Sequence, residues 1–181
     1  GLAVGAAATY FVVGSPAPPP APPAPSVAAP TRFETFALAL PALGVDRTLR
    51  VYLPPGYASC SDCRYPVVYF MDGQNLFDAA TGYAGEWGVD EVLDALHAKH
   101  GLAVIAVGID HGGEARMQEL SVWETADFAP ARGEAFLADL IAAVKPAVDA
   151  RYRTRPAAEA TTIAGSSMGG LMAHAAVMRH P

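Results

Sequence analysis

Hydrophobic and polar residues alternate along two segments after residue 30, which is the pattern of strands with one buried face. The segments "RFETFALAL" (32–40) and "RTLRVYLP" (47–54) are joined by the turn "PALGVD", so they predict an antiparallel pair. Three later segments are continuously apolar, namely "YPVVYFMD", "GLAVIAVGID" and "ATTIAG". Short apolar runs bounded by turn residues indicate strands that are buried on both faces.

Three further segments have the spacing of amphipathic helices, with apolar residues three and four positions apart. They are "GVDEVLDALHAKH", "RGEAFLADLIAAVKPAVDARY" and "MGGLMAHAAVMRH". The inward positions of the first two are expected to be Val89, Val92, Leu93, Leu96, Phe136, Leu137, Leu140, Ile141 and Val144. Pro146 lacks a backbone N–H, so it is expected to kink or restart the second helix.

The order of these elements is two strands followed by three strand–helix units. Such alternation predicts an α/β fold with a mostly parallel, doubly wound sheet. Ligands of these sheets bind beyond the carboxyl ends of the strands. Three loops follow those ends, "MDGQNLF", "GIDHGGEARM" and "GSSMGG". A functional site is therefore expected where the three loops meet.

Composition agrees with a folded domain and excludes several functions. The 181 residues are 52% hydrophobic and 17% charged, which suffices for one domain with a hydrophobic core. The net charge is −6 and there is no basic run, so no nucleic-acid partner is expected. The sequence contains no zinc pattern, phosphate-binding loop or dinucleotide fingerprint, so neither a metal nor a cofactor is expected.

The first thirty residues differ in composition from the rest. Residues 1–14 carry no charge and are interpreted as the remnant of a signal peptide or a membrane anchor. Residues 15–30 hold half of the 16 prolines and predict a semi-rigid polyproline linker. The protein is therefore expected to be secreted, periplasmic or membrane-anchored and facing outside, with its folded domain at residues 31–181. In such a compartment Cys60 and Cys63 are expected to form a disulfide or to remain unreactive thiols.

The candidate chemistry centres on "GSSMG" at residues 165–169, a G-x-S-x-G pattern between a predicted strand and a predicted helix. In a nucleophile elbow, this strand-to-helix turn is strained and lifts the serine Oγ clear of the sheet. Ser167 is therefore the candidate nucleophile, and the alternative is an ordinary glycine-rich connection. The N–H groups of Met168 and of Gln74, after the third strand, are the candidate oxyanion-hole donors. Ser166 is interpreted as a packing residue.

Several segments together resemble the esterase family of α/β-hydrolases, which includes feruloyl and acetyl-xylan esterases, enterochelin esterases, S-formylglutathione hydrolase and the antigen 85 mycolyltransferases. They are "VYLPPGY", "YPVVYFMDGQNLFD", "GEWGVDEVLDAL", "VIAVGID" with "RMQELSVW", and "GSSMGGLMA". The resemblance implies the α/β-hydrolase fold, a nucleophile at Ser167, and oxyanion donors at Met168 and Gln74. It implies a small-molecule, carbohydrate or siderophore ester as substrate. It gives Asp72 two alternative roles, contact with a substrate hydroxyl or a structural role in the turn.

The chain departs from the family pattern after Ser167. α/β-Hydrolases place an acid and then a histidine after the nucleophile, but no Asp or Glu follows here. His174 lies about two helical turns away, roughly 10 Å by helical rise, and His180 is farther. A convergent triad with Asp110 and His111 is the less favoured alternative. The fold is therefore expected to be C-terminally incomplete in this chain, with residues 31–181 forming the N-terminal part of a catalytic domain.

The favoured function is a serine esterase that hydrolyses a carboxylic ester through an acyl-enzyme on Ser167, with the acid and histidine beyond residue 181. The chain 1–181 alone is then expected to be inactive, because nothing activates the serine. The alternatives are an acyltransferase that passes the acyl group to a sugar or alcohol, and an inactive hydrolase-fold surface module. Trp87 and Trp123 are interpreted as pocket walls or core, with an aromatic platform as the alternative. Arg116 and Glu119 are interpreted as ion partners that anchor a loop.

Overall fold

The computed structural model describes residues 33–180. The predicted signal or anchor segment, residues 1–14, and the predicted linker, residues 15–30, lie outside the described residues. Both assignments therefore remain predictions. Among residues 33–180, no helix is both long and apolar enough to cross a membrane.

The described part contains five strands and five α-helices, together with short 3-10 turns and one π-helical turn. The strands are β1 (Phe33–Leu40), β2 (Val45–Tyr52), β3 (Val67–Met71), β4 (Ile105–Ile109) and β5 (Thr161–Ala164). The helices are α1 (Val89–His100), α2 (Arg116–Glu119), α3 (Gly133–Asp139), α4 (Lys145–Arg151) and α5 (Met168–Arg179). All five predicted strands and all three predicted helical segments are confirmed. The one-turn helix α2 lies inside a segment that was predicted as a loop.

The strands form one mixed sheet in the order β1-β2-β4-β3-β5. β1 pairs antiparallel with β2, and β2 pairs antiparallel with β4. β3 lies between β4 and β5 and is parallel to both. β4 is buried at all five positions, as its continuous apolar sequence predicts. The α/β fold and the antiparallel first pair are therefore confirmed.

Helices cover both faces of this sheet. The main core includes β-strand side chains such as Leu49, Tyr69 and Ile105, packed with Leu137 of α3 and Met172 of α5. On the other face, α1 packs against a second cluster formed by Tyr52, Leu76, Phe77 and Ala106. Only doubly covered strands need apolar residues on both faces, which explains the continuous runs in β3 and β4.

Two predicted inward positions are wrong. The segment from α3 to α4 is one helix interrupted by a π-helical turn, Leu140–Val144, and Pro146 lies in the first turn of α4. The wider π turn rotates Ile141 outward, and its exposed fraction is 42%. Val92 of α1 is 56% exposed, because Val89 and Leu93 face the sheet and Val92 lies to one side of them.

The loop between β2 and β3 carries the two cysteines. The structure joins Cys60 and Cys63 in a disulfide with a Cα–Cα distance of 5.4 Å. This outcome agrees with the first of the two alternatives, a local disulfide.

Candidate active site

The turn between β5 and α5 has the backbone strain that a nucleophile elbow requires. Ser167 has φ 53° and ψ −122°, a conformation that residues with a side chain rarely adopt. Within residues 33–180, the other non-glycine residue with positive φ is Asp72. Both follow the carboxyl ends of neighbouring parallel strands, so the two strained residues lie at the same end of the sheet.

Two glycines make this turn sterically feasible. A Cβ on Gly165 would lie 2.4 Å from the carbonyl carbon of Gly169. A Cβ on Gly169 would lie 3.0 Å from the Cβ of Met71 in β3. The first residue must therefore be glycine for the turn to close, and the second allows α5 to pack closely on the sheet.

The start of α5 leaves a backbone donor beside Ser167. The N–H of Gly169 donates to the Ser166 carbonyl at 2.8 Å, and the N–H of Leu171 donates to the Ser167 carbonyl at 3.1 Å. Met168 is the first residue of the helix, where an N–H has no carbonyl one turn earlier to bind. The positive end of the helix dipole lies at the same place. The geometry therefore suits the Met168 N–H to the stabilisation of an oxyanion.

Ser166 does not pack in the interior. It is exposed and lines the same cavity as Ser167, so its interpretation as a packing residue is wrong. The tight turn points successive side chains outward, because the space beneath is filled by the close approach of Gly165 and Gly169.

The loop after β3 is fixed in place around Gln74. A short 3-10 turn covers Gly73–Asn75, and a Cβ on Gly73 would lie 2.5 Å from the carbonyl carbon of Gly108 in β4. The Gln74 carbonyl accepts a hydrogen bond from Thr81 Oγ1 at 2.7 Å, and its Oε1 accepts one from the His111 N–H at 3.2 Å. Main chain and side chain of Gln74 are thus both held, which is what a preorganised oxyanion donor needs.

Asp72 is engaged by an arginine from the loop after β4. Its side chain is 3% exposed, and its two oxygens accept from Arg116 Nε at 2.6 Å and Nη2 at 2.7 Å. The hydrogen bonds with Asp72 are the main cause that raises the pKa of the Arg116 guanidinium. The contacts favour the structural role for Asp72, and they confirm that Arg116 anchors its loop.

Two more ion pairs hold the loop after β4, residues 110–119. Arg47 Nη2 of β2 donates to both carboxylate oxygens of Glu119, at 2.8 and 2.9 Å, and both side chains are buried. Arg50 donates to Asp110 at 2.7 and 3.0 Å. Glu119 is therefore a loop anchor as predicted.

The same contacts contradict the convergent triad. The Asp110 carboxylate binds Arg50, and His111 Nδ1 accepts the Gly113 N–H at 2.8 Å. Asp110 consequently does not orient the imidazole of His111, as the acid of a triad must.

The three predicted loops meet at a cavity of about 420 Å³, at the place where the sequence predicts a site. Its lining includes Ser167 with Gln74, Asp72, Arg116 and His111. Its size suits a small-molecule ligand. His174 is exposed on α5 and is not among the lining residues, in agreement with its predicted distance from the elbow.

Sequence reasoning missed Asn75 and Tyr83, and it did not place His111 in the cavity wall. Asn75 is buried and shapes the cavity wall: its carbonyl accepts the Trp87 N–H at 2.7 Å and its Oδ1 accepts the Tyr83 N–H at 2.9 Å. Trp87 is therefore a pocket wall, as one interpretation predicts, whereas Trp123 is half exposed and does not line this cavity. A buried amide that holds the loop following it leaves no periodic signal in the sequence.

A cluster of carboxylates lies at the start of α1. Within the described residues, ligand atoms of Glu86, Asp90 and Glu91 come within 4.8 Å of one another. Burial, then hydrogen bonding and repulsion from Glu91, raises the pKa of Asp90 to about 7. Crowded carboxylates that hold a proton in this way carry no argument for a metal site.

The sequence can now be placed among known proteins. A family model described as "Putative esterase" matches residues 41–181. This chain belongs to the Putative esterase family. No curated protein matches it.

Solved structures show the same fold at low sequence identity. An IroE-like serine hydrolase from Shewanella oneidensis is 24% identical, with a TM-score of 0.67 over 81% of this chain and 46% of that chain. A siderophore hydrolase from Aspergillus nidulans is 23% identical, with a TM-score of 0.64 over 87% of this chain and 56% of that one. A ferulic acid esterase is 23% identical, with a TM-score of 0.63 over 82% and 55%. This member of the Putative esterase family thus spans about half the length of these structures.

Proposed function

We propose that this protein is a serine esterase and that residues 31–181 form the N-terminal part of its catalytic domain. The observation that carries the proposal is the backbone of Ser167, with φ 53° and ψ −122° between β5 and α5. A non-glycine residue keeps such a conformation only where the surroundings force it, and such strain concentrates at active sites. Membership of the Putative esterase family supports the same reaction class.

In the proposed reaction, Ser167 Oγ attacks the carbonyl carbon of the ester and its proton passes to a histidine. The carbonyl oxygen becomes an oxyanion that accepts hydrogen bonds from the N–H groups of Met168 and Gln74. The bond to the alcohol oxygen then breaks, the alcohol leaves with the proton, and an acyl-enzyme remains. Water attacks this acyl-enzyme in the same way and releases the acid.

The acid and the histidine of the triad are proposed to lie beyond residue 181. Two observations support this step: the solved structures of this fold are about twice as long, and His111 and Asp110 have other partners. The chain 1–181 by itself is consequently expected not to turn over esters.

The proposed substrate is an ester of a small molecule, with a carbohydrate or siderophore ester as the specific candidates. The cavity beside Ser167 has a suitable volume and an aromatic wall at Trp87. Proteins of this fold are named for ferulic acid, siderophores and enterobactin. An extracytoplasmic location, through residues 1–14 and 15–30, belongs to the same proposal, and recovery of the intact protein from the cytoplasm would refute it.

A fluorophosphonate probe tests the nucleophile. The full-length protein and its Ser166→Ala variant should both be labelled, whereas Ser167→Ala should not be. The matched control is stringent because Ser166 is the adjacent residue and is also exposed. Equal labelling of Ser167→Ala would refute the assignment, and mass spectrometry of the labelled peptide would locate the modified serine.

A further inference from the structure

The ring of His111 has a defined hydrogen-bond partner on one side. Its Nδ1 accepts the backbone N–H of Gly113 at 2.8 Å. Gly113 has φ +60°, a left-handed conformation that favours glycine. A residue with a side chain would be strained in the turn that presents this N–H. A backbone N–H can only donate, so Nδ1 must act as the acceptor in this contact.

This contact fixes the tautomer of the neutral ring. A neutral imidazole carries one proton, and the nitrogen that accepts a hydrogen bond is the one without it. His111 therefore carries its proton on Nε2. The ring thus has one occupied acceptor and one N–H donor on its opposite side.

His111 is held beside the candidate nucleophile. It lines the 420 Å³ cavity together with Ser167, and its own backbone N–H donates to Gln74 Oε1 at 3.2 Å. The preceding residue, Asp110, is fixed to Arg50 by two hydrogen bonds of 2.7 and 3.0 Å. Little conformational freedom remains to be lost when a ligand binds, which favours recognition at this position.

The cationic side chain of the same cavity is already engaged. Arg116 uses Nε and Nη2 on the buried Asp72, and its Nη1 lies 3.6 Å from the sulfur of Met117. The charge of Arg116 is thus balanced by Asp72, whereas among the described residues His111 Nε2 has no hydrogen-bond partner and is free for a ligand.

We propose that His111 is a specificity-determining residue whose Nε2–H donates a hydrogen bond to a substrate oxygen other than the two oxygens of the scissile ester. The ligand class is an ester with a hydroxyl or carbonyl oxygen near the reacting carbonyl. The assignment rests on the proposed esterase function. It goes beyond that function by naming the polar contact that selects among esters.

Two substitutions at His111 separate this role from a structural one. In His111→Asn, the amide oxygen can take the place of Nδ1 and keep the Gly113 contact, but the Nε2–H donor is lost. In His111→Gln, the longer side chain can bring an amide N–H to the place of Nε2. His97→Asn is the matched control, because the His97 ring also contacts the backbone, 3.3 Å from the Leu102 carbonyl, but lies on α1.

The full-length protein would be assayed with two pairs of esters that differ by one hydroxyl. They are p-nitrophenyl butyrate with p-nitrophenyl 3-hydroxybutyrate, and ethyl acetate with ethylene glycol monoacetate. For at least one pair, the wild-type protein should prefer the hydroxylated ester in kcat/KM. His111→Asn should reduce that preference about tenfold, the value of one net hydrogen bond. His111→Gln should restore part of it, and His97→Asn should leave it unchanged.

The outcomes that overturn the inference differ from those that overturn the function. If both ester pairs give the same kcat/KM ratios in His111→Asn as in wild type, while fluorophosphonate still labels Ser167, only the His111 assignment fails. Long-range 15N–1H correlation of the imidazole provides a second test, and a proton on Nδ1 would refute the assignment. Absence of both labelling and turnover in the wild type would overturn the esterase function and the His111 role together.

Discussion

The sheet differs on the two sides of β3, towards β4 and towards β5, the strand that leads into the elbow. On the β4 side, three ion pairs hold the loop that reaches the cavity. They are Arg47–Glu119, Arg50–Asp110 and Arg116–Asp72. On the β5 side, the strand is only half buried, and within the described residues it pairs with β3 alone. An apolar groove of about 560 Å³ lies there between β5, α5 and the π-helical segment.

The β5 side also leaves polar and apolar groups without their usual surroundings. Val177 and Ile141 line the groove with exposed fractions of 58% and 42%. Among residues 33–180, the Tyr69 hydroxyl is buried at the groove without a hydrogen-bond partner, and burial raises the pKa of this phenol. A buried hydroxyl normally has a hydrogen-bond partner. A contiguous group of apolar side chains is normally covered by another part of the protein or by a ligand. The difference between the sides supports the proposal that further chain covers β5 and completes the site.

The strongest test of the β4 side removes the charge of Glu119. Glu119→Gln leaves Arg47 buried without a counter-charge, so we expect a loss of about 3–5 kcal/mol in the free energy of unfolding. Because Glu119 ends the loop that carries Arg116, ester hydrolysis should also fall. Urea denaturation of the full-length protein measures the first effect and a p-nitrophenyl ester assay the second.

The double variant Arg47→Met/Glu119→Leu provides the control for that prediction. Replacing both charges by apolar side chains removes the unpaired ion, so most of the stability should return. A double variant as unstable as Glu119→Gln would show that the geometry of the pair, rather than charge compensation, holds the loop.

The second test concerns the elbow, where the two sides meet. Gly165→Ala would place a Cβ 2.4 Å from the backbone of Gly169, so the turn must open. We expect a loss of about 1–3 kcal/mol in stability, the usual range for overpacking, together with loss of fluorophosphonate labelling. Gly170→Ala is the control, since its Cβ would approach the Gly165 carbonyl oxygen only to 3.2 Å. Full labelling of Gly165→Ala would contradict a strained elbow.

A third test asks whether the groove beside β5 is covered in the full-length protein. Val177→Thr replaces a methyl group by a hydroxyl of nearly equal size, which costs about 1–3 kcal/mol if the site is buried without a partner. Val92→Thr on α1 is the matched control, because Val92 is 56% exposed where Val177 is 58% exposed. A solvent-facing valine should change stability by less than about 0.5 kcal/mol. Equal, small effects for both variants would refute a cover over β5.

The fold was largely predictable because local pattern and tertiary packing agree. The period of two in β1 and the unbroken apolar runs of β3 and β4 report directly how many faces of each strand are covered. One error, at Val92, arose because only Val89 and Leu93 of α1 face the sheet, and the other arose where local geometry changes the helical period. The π-helical turn moves Ile141 outward, and no residue type in "LIAAV" signals such a turn.

The candidate site was predictable only in part, for a comparable reason. Positions where a Cβ would clash with a neighbouring backbone are occupied by glycine, and these glycines are visible in the sequence. Ser167 and the turn at Gln74 could therefore be located from the sequence. Contacts between distant loops leave none. The bond from the His111 N–H to Gln74 spans 37 positions, and the pair of Asp72 with Arg116 spans 44. Such partners follow from the order of strands in the sheet, which the local pattern does not specify.

The smallest expected effect concerns the one crowded group of like charges described above, at the start of α1. Burial and the neighbouring Glu91 raise the pKa of Asp90 to about 7, from an ordinary value near 4. The folded state therefore holds a proton that the unfolded state has released, and stability falls as the pH rises between about 4 and 7. Asp90→Asn removes this term. The variant should gain on the order of 1 kcal/mol above pH 7, discounted because Asp90 is only partly buried, and nothing below about pH 4. Urea midpoints across this pH range measure the difference, and a variant that is less stable above pH 7 would show that the Asp90 carboxylate stabilises the start of α1 in its ionised form, as the opposite-charge pairs stabilise the loop after β4.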